Sequence, residues 1–257
     1  MSNRWLPFPS TKTSAEIDVY CLPYAGGNAS IYRQWDSYLP EWIAVQPVEF
    51  PGHGVRICED LVASVPELTE ELFIDLLAQQ RRPFALFGHS MGAGLAFHLA
   101  DYALQRGVAP HALFVSGRQA PVIAKGIRPR VNLSDAELIE ELMFLNGSPP
   151  EVLENEELMS FLLPIIRSDF SLSEWLLRYD ANKRISIPIH VIGAKNDAEV
   201  DYRKLDLWRN NTQKQAVISL FEGEHFFIHD QGRVVSDLMA SDLQYTLNGM
   251  GELKVNY

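Results

Sequence analysis

RPFALFGHSMGAGLAFHLA, residues 82–100, joins an apolar run to a run of small, helix-like residues across Gly88-His89-Ser90-Met91-Gly92. PFALFG (83–88) has the length and composition of a buried strand, and the stretch after it has those of a helix. A side chain at the apex of so sharp a strand-to-helix turn forces strained backbone angles. Bulky neighbours two positions away on either side would clash, and Gly88 and Gly92 remove them. This is the G-x-S-x-G nucleophile elbow, with Ser90 at its tip. Ala93, Gly94, Ala96 and Ala100 let the helix lie close to a sheet. Its N-terminus points amides at the serine, so the Met91 N–H is placed to meet a developing negative charge. A glycine-rich phosphate turn is the competing reading, but G-x-G-x-x-G is missing here and no Lys-Ser/Thr pair follows.

The rest of the chain alternates in the same way. IDVYCLPY (17–24), IAVQPVEF (43–50), HALFVSG (111–117), IPIHVIGA (187–194) and AVISLFEG (216–223) read as further strands. Helical patterns lie between them at about 30–39, 65–80, 91–106 and 226–248. Such alternation predicts an α/β fold, a mostly parallel sheet with helices on both faces. From Arg118 to Asp180 the alternation stops. SDAELIEELMFLN, NEELMSFLLPIIRSDF and SLSEWLLRYD are helical instead, the first opening on Ser134 and Glu137 at capping-box spacing. So long an insertion, at about 118–180, reads as a lid over the sheet's ligand-binding edge or as a helical core layer.

A serine hydroxyl needs a base, and the base an orienting carboxylate. In this architecture they follow in the order Ser, acid, His. Of seven histidines, only His225 and His229 follow the last strand. His225 comes directly after it and a glycine turn, and His229 is one helical turn further on. A metal reading of the pair lacks the glutamate of H-E-x-x-H. In KNDAEV (195–200) Asp197 is the first carboxylate after its strand, with Glu199 and Asp201 close behind. Asp197 is the predicted acid, and the plainer alternative is that it caps the next helix. Asp169 and Asp180 fall in the insertion. Gly26 and Gly27 in LPYAGGNAS let backbone amides approach a ligand, so the Ala25 N–H is expected to pair with that of Met91 as an oxyanion hole. His53, in FPGHG, is read as structural.

The chain has 257 residues and a formal net charge of −11. That length suits one core and one domain spanning 1–257. The acidic balance argues against a nucleic-acid partner. Two cysteines, Cys21 and Cys58, make no disulfide framework and read as free thiols in a reducing compartment. Without a signal-peptide stretch or a run long enough to span a bilayer, a cytoplasmic protein is expected.

LPYAGG, FPGHG, FALFGHSMGAGLAF, SGRQAP, LLPIIRSDF and FEGEHFFI together resemble the type II thioesterases. These are free-standing α/β-hydrolases that accompany polyketide synthases and nonribosomal peptide synthetases. The resemblance runs in matching order from about residue 17 to 240, and SGRQAP and LLPIIRSDF lie outside the general hydrolase motifs. It implies hydrolysis of stalled or wrong acyl groups from the phosphopantetheine arm of acyl or peptidyl carrier proteins; apart from the resemblance, a monomer is the default expectation. It places the nucleophile on Ser90, the base on His225 and the acid on Asp197, although the family's Asp is usually followed by Pro and here by Ala198. No metal or cofactor is implied, since phosphopantetheine belongs to the substrate.

Carrier proteins are acidic, as is this chain, so their approach calls for local positive charge. GRQAPVIAKGIRPR (117–130) carries Arg118, Lys125, Arg128 and Arg130 with no acid. Lys125, Arg128 and Arg130 are the predicted docking residues, against the alternative of a solvated lid edge. Phe144, Phe161, Phe170 and Trp175 are expected to line or cover an acyl channel. A carboxylesterase, a product-releasing thioesterase and a non-catalytic binding protein on the same scaffold are the competing functions.

Overall fold

The computed structural model describes residues 3–121 and 129–247. Six strands, β1 (Ile17–Leu22), β2 (Ile43–Pro47), β3 (Phe84–His89), β4 (Leu113–Ser116), β5 (Ile189–Ala194) and β6 (Ala216–Phe221), form one sheet in the order β2-β1-β3-β4-β5-β6. Every pairing is parallel. β1 to β5 are buried along nearly their whole length, as strands covered on both faces must be, and their near-continuous apolar runs reflect it.

The helices are α1 (Trp35–Tyr38), α2 (Val65–Leu72), α3 (Met91–Leu104), α4 (Asp135–Leu145), α5 (Pro150–Leu153), α6 (Glu156–Tyr179) and α7 (Gly232–Leu247). One core joins α2, α3 and the second half of α6, through Leu72, Phe97, Leu172 and Leu176, to Leu86, Val115 and Val191 of the sheet. A second joins Trp35, Val235, Met239 and Leu243 of α1 and α7 to strand residues such as Val19, Phe87 and Phe114.

The expected strands are all present, and the helices differ in detail. The 30–39 pattern is a 3-10 turn, Ala29–Tyr32, followed by α1. The 65–80 pattern is α2 continued by a π turn, Phe73–Leu77. α7 begins at Gly232 rather than near 226, because residues 224–231 are folded into successive turns by Phe227 N–H to Glu224 O, His229 N–H to Phe226 O and Gln231 N–H to Phe227 O. The last two helices expected in the insertion are one helix of 24 residues, running through Pro164. Tertiary contacts along its length outweigh the hydrogen bond that the proline removes.

The insertion divides the two readings between its parts. α4, α5 and the first half of α6 share a small cluster of their own, including Leu138, Leu145, Met159 and Ile166, that touches Ala25 and Phe226 at the sheet edge. The second half of α6 belongs to the main core against α3. α4 starts on the expected capping box: Ser134 accepts from the Glu137 N–H while the Glu137 carboxylate accepts from the Ser134 N–H.

Candidate active site

Parallel pairing brings the carboxyl ends of the strands to one edge. Leu22 pairs with Gly88, His89 with Ser116, and Ala194 with Phe221. The loops carrying Ala25, Ser90, Asp197 and His225 leave from that edge, where ligands of open α/β sheets bind.

Ser90 has φ 52° and ψ −115°. Among the described residues only Ser90 and Asn146 combine a side chain with positive φ, a conformation that costs about 1–3 kcal/mol and persists only where the surroundings enforce it. Here the Ser90 N–H donates to Ser116 O at 2.8 Å, and Ser90 O accepts from Ala93 and Gly94 N–H. A Cβ on Gly88 would lie 2.1 Å from Gly92 O, and one on Gly92 would lie 2.2 Å from Leu22 O. A side chain at either position would have to push backbone aside, which is why the motif places glycine at both.

His225 is buried in the turn after β6, and its Nδ1–H donates to Asp197 Oδ2 at 2.9 Å. In the neutral ring this contact selects the tautomer with the proton on Nδ1, which leaves Nε2 as the acceptor. The Asp197 side chain is fully buried, and its other oxygen accepts the N–H groups of Glu199 and Val200. Asp197 therefore also caps its own loop, and Ala198 at the family's proline position does not prevent the pairing. The competing residues point elsewhere: Glu199 pairs with Arg130, and Asp201 with Arg203. His229 Nε2 lies 2.9 Å from Tyr24 Oη, and burial pulls its pKa below the usual histidine value against the pull of Asp230. His89 is pushed much further down, by burial first and then by His225 and His229, so it stays neutral.

Ser90, Met91, Ala25 and His225 line a small cavity of about 70 Å³. Among the described residues neither the Ala25 nor the Met91 N–H has an acceptor. A larger cavity of about 280 Å³ shares Ser90 and His225 and runs beneath the helical cover, walled by Leu142, Leu145, Leu162, Ile165, Ile166 and Phe170. A third, of about 290 Å³, also reaches His225 and has a more polar wall that includes Asn146, Asn196 and Glu224.

Of the four aromatic residues expected at an acyl channel, Phe170 lines the large cavity. Phe144 and Phe161 are exposed, Phe144 bordering the polar cavity instead. Trp175 packs edge-on to His98, away from the site.

Of the predicted docking residues Lys125, Arg128 and Arg130, only Arg130 is among the described residues. Arg130 donates to both Glu141 and Glu199 and lies over the Phe170 ring. A guanidinium held by two carboxylates is no free steering charge. Arg118 is buried: it donates to Ser90 O and to the hydroxyl and carbonyl of Ser173 on α6. Burial brings its pKa down to about 10, with Asp180 opposing. Lys125 and Arg128 lie outside the described residues.

The sequence reading set aside a contributor that the structure places at the site. Asp169, on α6, has Oδ2 2.7 Å from Gly26 N and 2.9 Å from His53 Nε2. The available signal is a carboxylate set among Ile165, Ile166 and Phe170, on the stripe that a helix buries.

Among the described residues no group of three His, Cys, Asp or Glu side chains could hold a metal, and no helix is long and apolar enough to cross a membrane.

A parallel sheet carrying a strained serine at a strand-to-helix elbow, with a buried His–Asp pair beside it, defines the α/β-hydrolase fold. Residues 18–241 match the Thioesterase domain family, and the chain belongs to that family. It is 36% identical over 251 residues to linear gramicidin dehydrogenase LgrE of Brevibacillus parabrevis, covering 96% of this chain and 95% of that one. It is 35% identical over 246 residues to gramicidin S biosynthesis protein GrsT of Aneurinibacillus migulanus, covering 95% and 96%. The solved structure of the type II thioesterase BorB, from the borrelidin biosynthetic cluster, superposes with a TM-score of 0.82 at 33% identity, covering 95% of this chain and 99% of BorB.

Proposed function

We propose that the protein is a type II thioesterase that hydrolyses acyl groups from the phosphopantetheine arm of acyl or peptidyl carrier proteins, clearing stalled or aberrant groups in polyketide or nonribosomal peptide synthesis. The observation that carries the reading is the buried His225–Asp197 hydrogen bond at the cavity that holds strained Ser90 and two amides without acceptors. Membership of the thioesterase family and the likeness to BorB support the substrate class.

In this reading Ser90 Oγ attacks the thioester carbonyl as His225 Nε2 takes its proton. Asp197 holds the imidazole and stabilises the imidazolium. The Ala25 and Met91 N–H groups bind the oxyanion, each worth about 3 kcal/mol of barrier. The C–S bond breaks, and the pantetheine thiol leaves with the proton from His225. Water, deprotonated by His225, then attacks the acyl-serine and the carboxylic acid departs. The apolar cavity takes the acyl chain and the polar one the pantetheine arm. The enzyme works as a cytoplasmic monomer with no metal or cofactor of its own.

The word dehydrogenase in the LgrE name would suggest dinucleotide chemistry, but the turn after β1 reads Pro23-Tyr-Ala-Gly-Gly-Asn28, not G-x-G-x-x-G. The test compares hydrolysis of an acyl-pantetheine thioester and its matched oxygen ester by wild type and Ser90→Ala. The thioester is expected to react faster and only with Ser90 present. Preference for the ester would favour a carboxylesterase.

A further inference from the structure

The site contains a second buried histidine–carboxylate pair. His53 and Asp169 side chains are 5% and 3% exposed, so neither is a surface ion pair. His53 comes from the loop after β2, and Asp169 from α6, 116 positions later. Both ring nitrogens of His53 face oxygens that only accept: Nε2 faces Asp169 Oδ2 and Nδ1 faces Pro51 O, each at 2.9 Å. Only the doubly protonated ring satisfies both. Burial opposes that charge, but the hydrogen bond and charge of Asp169, the Pro51 carbonyl and the Glu49 carboxylate outweigh it, and the pKa stands above the usual histidine value.

The same Asp169 oxygen accepts the Gly26 N–H at 2.7 Å. Gly26 is the third residue of a tight turn closed by Gly27 N–H to Tyr24 O at 2.9 Å, and its φ is +74°. Positive φ at that position belongs to a type II turn, which differs from type I by a flip of the central peptide. That peptide is Ala25–Gly26, so the carboxylate on Gly26 N–H holds it in one of its two orientations. The Ala25 N–H, the second oxyanion donor, lies one peptide earlier in the same turn. Ile166, one helical turn before Asp169, packs over Gly26, where an added Cβ would come within 3.1 Å of it. One face of α6 thus sits on the turn and hydrogen-bonds it.

We propose that Asp169 is a positioning residue for the oxyanion hole: buttressed by His53, its carboxylate locks the Tyr24–Gly27 turn, so the Ala25 amide is aimed only while α6 is seated on the site. The helical cover then does more than wall the acyl cavity. Loss of the Asp169 acceptor would free the Ala25–Gly26 peptide to flip and would weaken catalysis. This rests on the reading of Ser90 as nucleophile and of Ala25 and Met91 as oxyanion donors.

The experiment measures kcat and KM on an acetyl-pantetheine thioester, inhibition by its trifluoromethyl ketone analogue, and Tm, for wild type, Ser90→Ala, Asp169→Ala and Asp169→Asn. A misplaced oxyanion donor costs about 10²-fold or more in kcat, so Asp169→Ala should lose about that much. Its KM should be little changed, and the ketone should bind more weakly by a similar factor. Asp169→Asn still offers Gly26 an oxygen and should keep kcat within about 10-fold of wild type, although its ion pair is gone. A purely structural ion pair would give both variants the same Tm loss and leave kcat and ketone affinity alone. If Asp169→Ala does not fold, His53→Leu against His53→Gln makes the same comparison, because Gln retains a donor for Asp169 and should retain more kcat. An active wild type, an inactive Ser90→Ala and a fully active, folded Asp169→Ala would overturn the latch alone. An inactive wild type, or an active Ser90→Ala, would overturn the thioesterase reading and the latch with it.

Discussion

Gly92→Ala tests the physics of the elbow without touching a reacting group. The added methyl would lie 2.2 Å from Leu22 O and 2.5 Å from Pro23 O. Carbon–oxygen contacts rest at about 3.3 Å or more, so the end of β1 and the start of α3 must separate by about 1 Å. Both obstacles are backbone carbonyls and cannot swing aside as a side chain would. Helix propensity favours alanine by about 1 kcal/mol, while overpacking costs about 1–3 kcal/mol. The clash with rigid backbone lies at the upper end, giving a net loss of about 1–2 kcal/mol, or roughly 2–8 °C in Tm. The same displacement moves Ala25, three residues beyond Leu22, away from Met91 beside Gly92. A misplacement of about 1 Å costs about 10²-fold in rate, expected in kcat with little change in KM. Thermal unfolding and thioester kinetics on the same preparation read both effects. A Gly92→Ala protein with the wild-type Tm and kcat would refute the packing argument.

Asp197→Asn keeps an oxygen for the Glu199 and Val200 N–H groups but no longer holds His225 in the right tautomer. Thioester kcat should fall by about 10⁴-fold with Tm nearly unchanged, and a loss under 10-fold would remove Asp197 from the triad. Arg130→Gln leaves Glu141 and Glu199 facing each other, so Tm should fall, and kcat/KM should change by the same factor on an acyl carrier and on a free acyl-pantetheine. A KM rise confined to the carrier substrate would restore Arg130 to a docking role. The raised His53 pKa means stability present below the usual histidine range, about pH 6.5, and lost as pH climbs through the raised value. The stability advantage of wild type over His53→Gln should therefore be largest in mild acid and shrink toward alkaline pH. Chemical denaturation across that range measures it, and an advantage that grows with pH would contradict a charged His53.

The elements that decide the fold were legible because their signals are local. A strand, two glycines and a serine specify the elbow by sterics alone, and chain order then places Asp197 and His225 after the right strands. What the sequence concealed depends on non-local partners. Arg118 and Arg130 sit in a stretch without acids and read as surface charge. Their partners, Ser173, Glu141 and Glu199, come from α6, α4 and the loop after β5, and no local pattern reports such meetings. Asp169 was set aside because its partners lie 116 and 143 positions away. Phe144 and Trp175 share the aromatic character of Phe170, and only helix packing separates the one that lines the cavity. The seam read between two helices at Phe170 and Ser171 lies inside α6, because the contacts that carry one helix through it are tertiary.

The most direct test of the central claim is intact-protein mass spectrometry of an acyl-loaded carrier protein incubated with catalytic amounts of wild type or Ser90→Ala. Loss of the acyl mass, leaving the free phosphopantetheine thiol, with wild type and not with Ser90→Ala is the predicted result. A carrier that keeps its acyl group across several short acyl chains, under conditions where the same enzyme cleaves simple oxygen esters, would contradict the account.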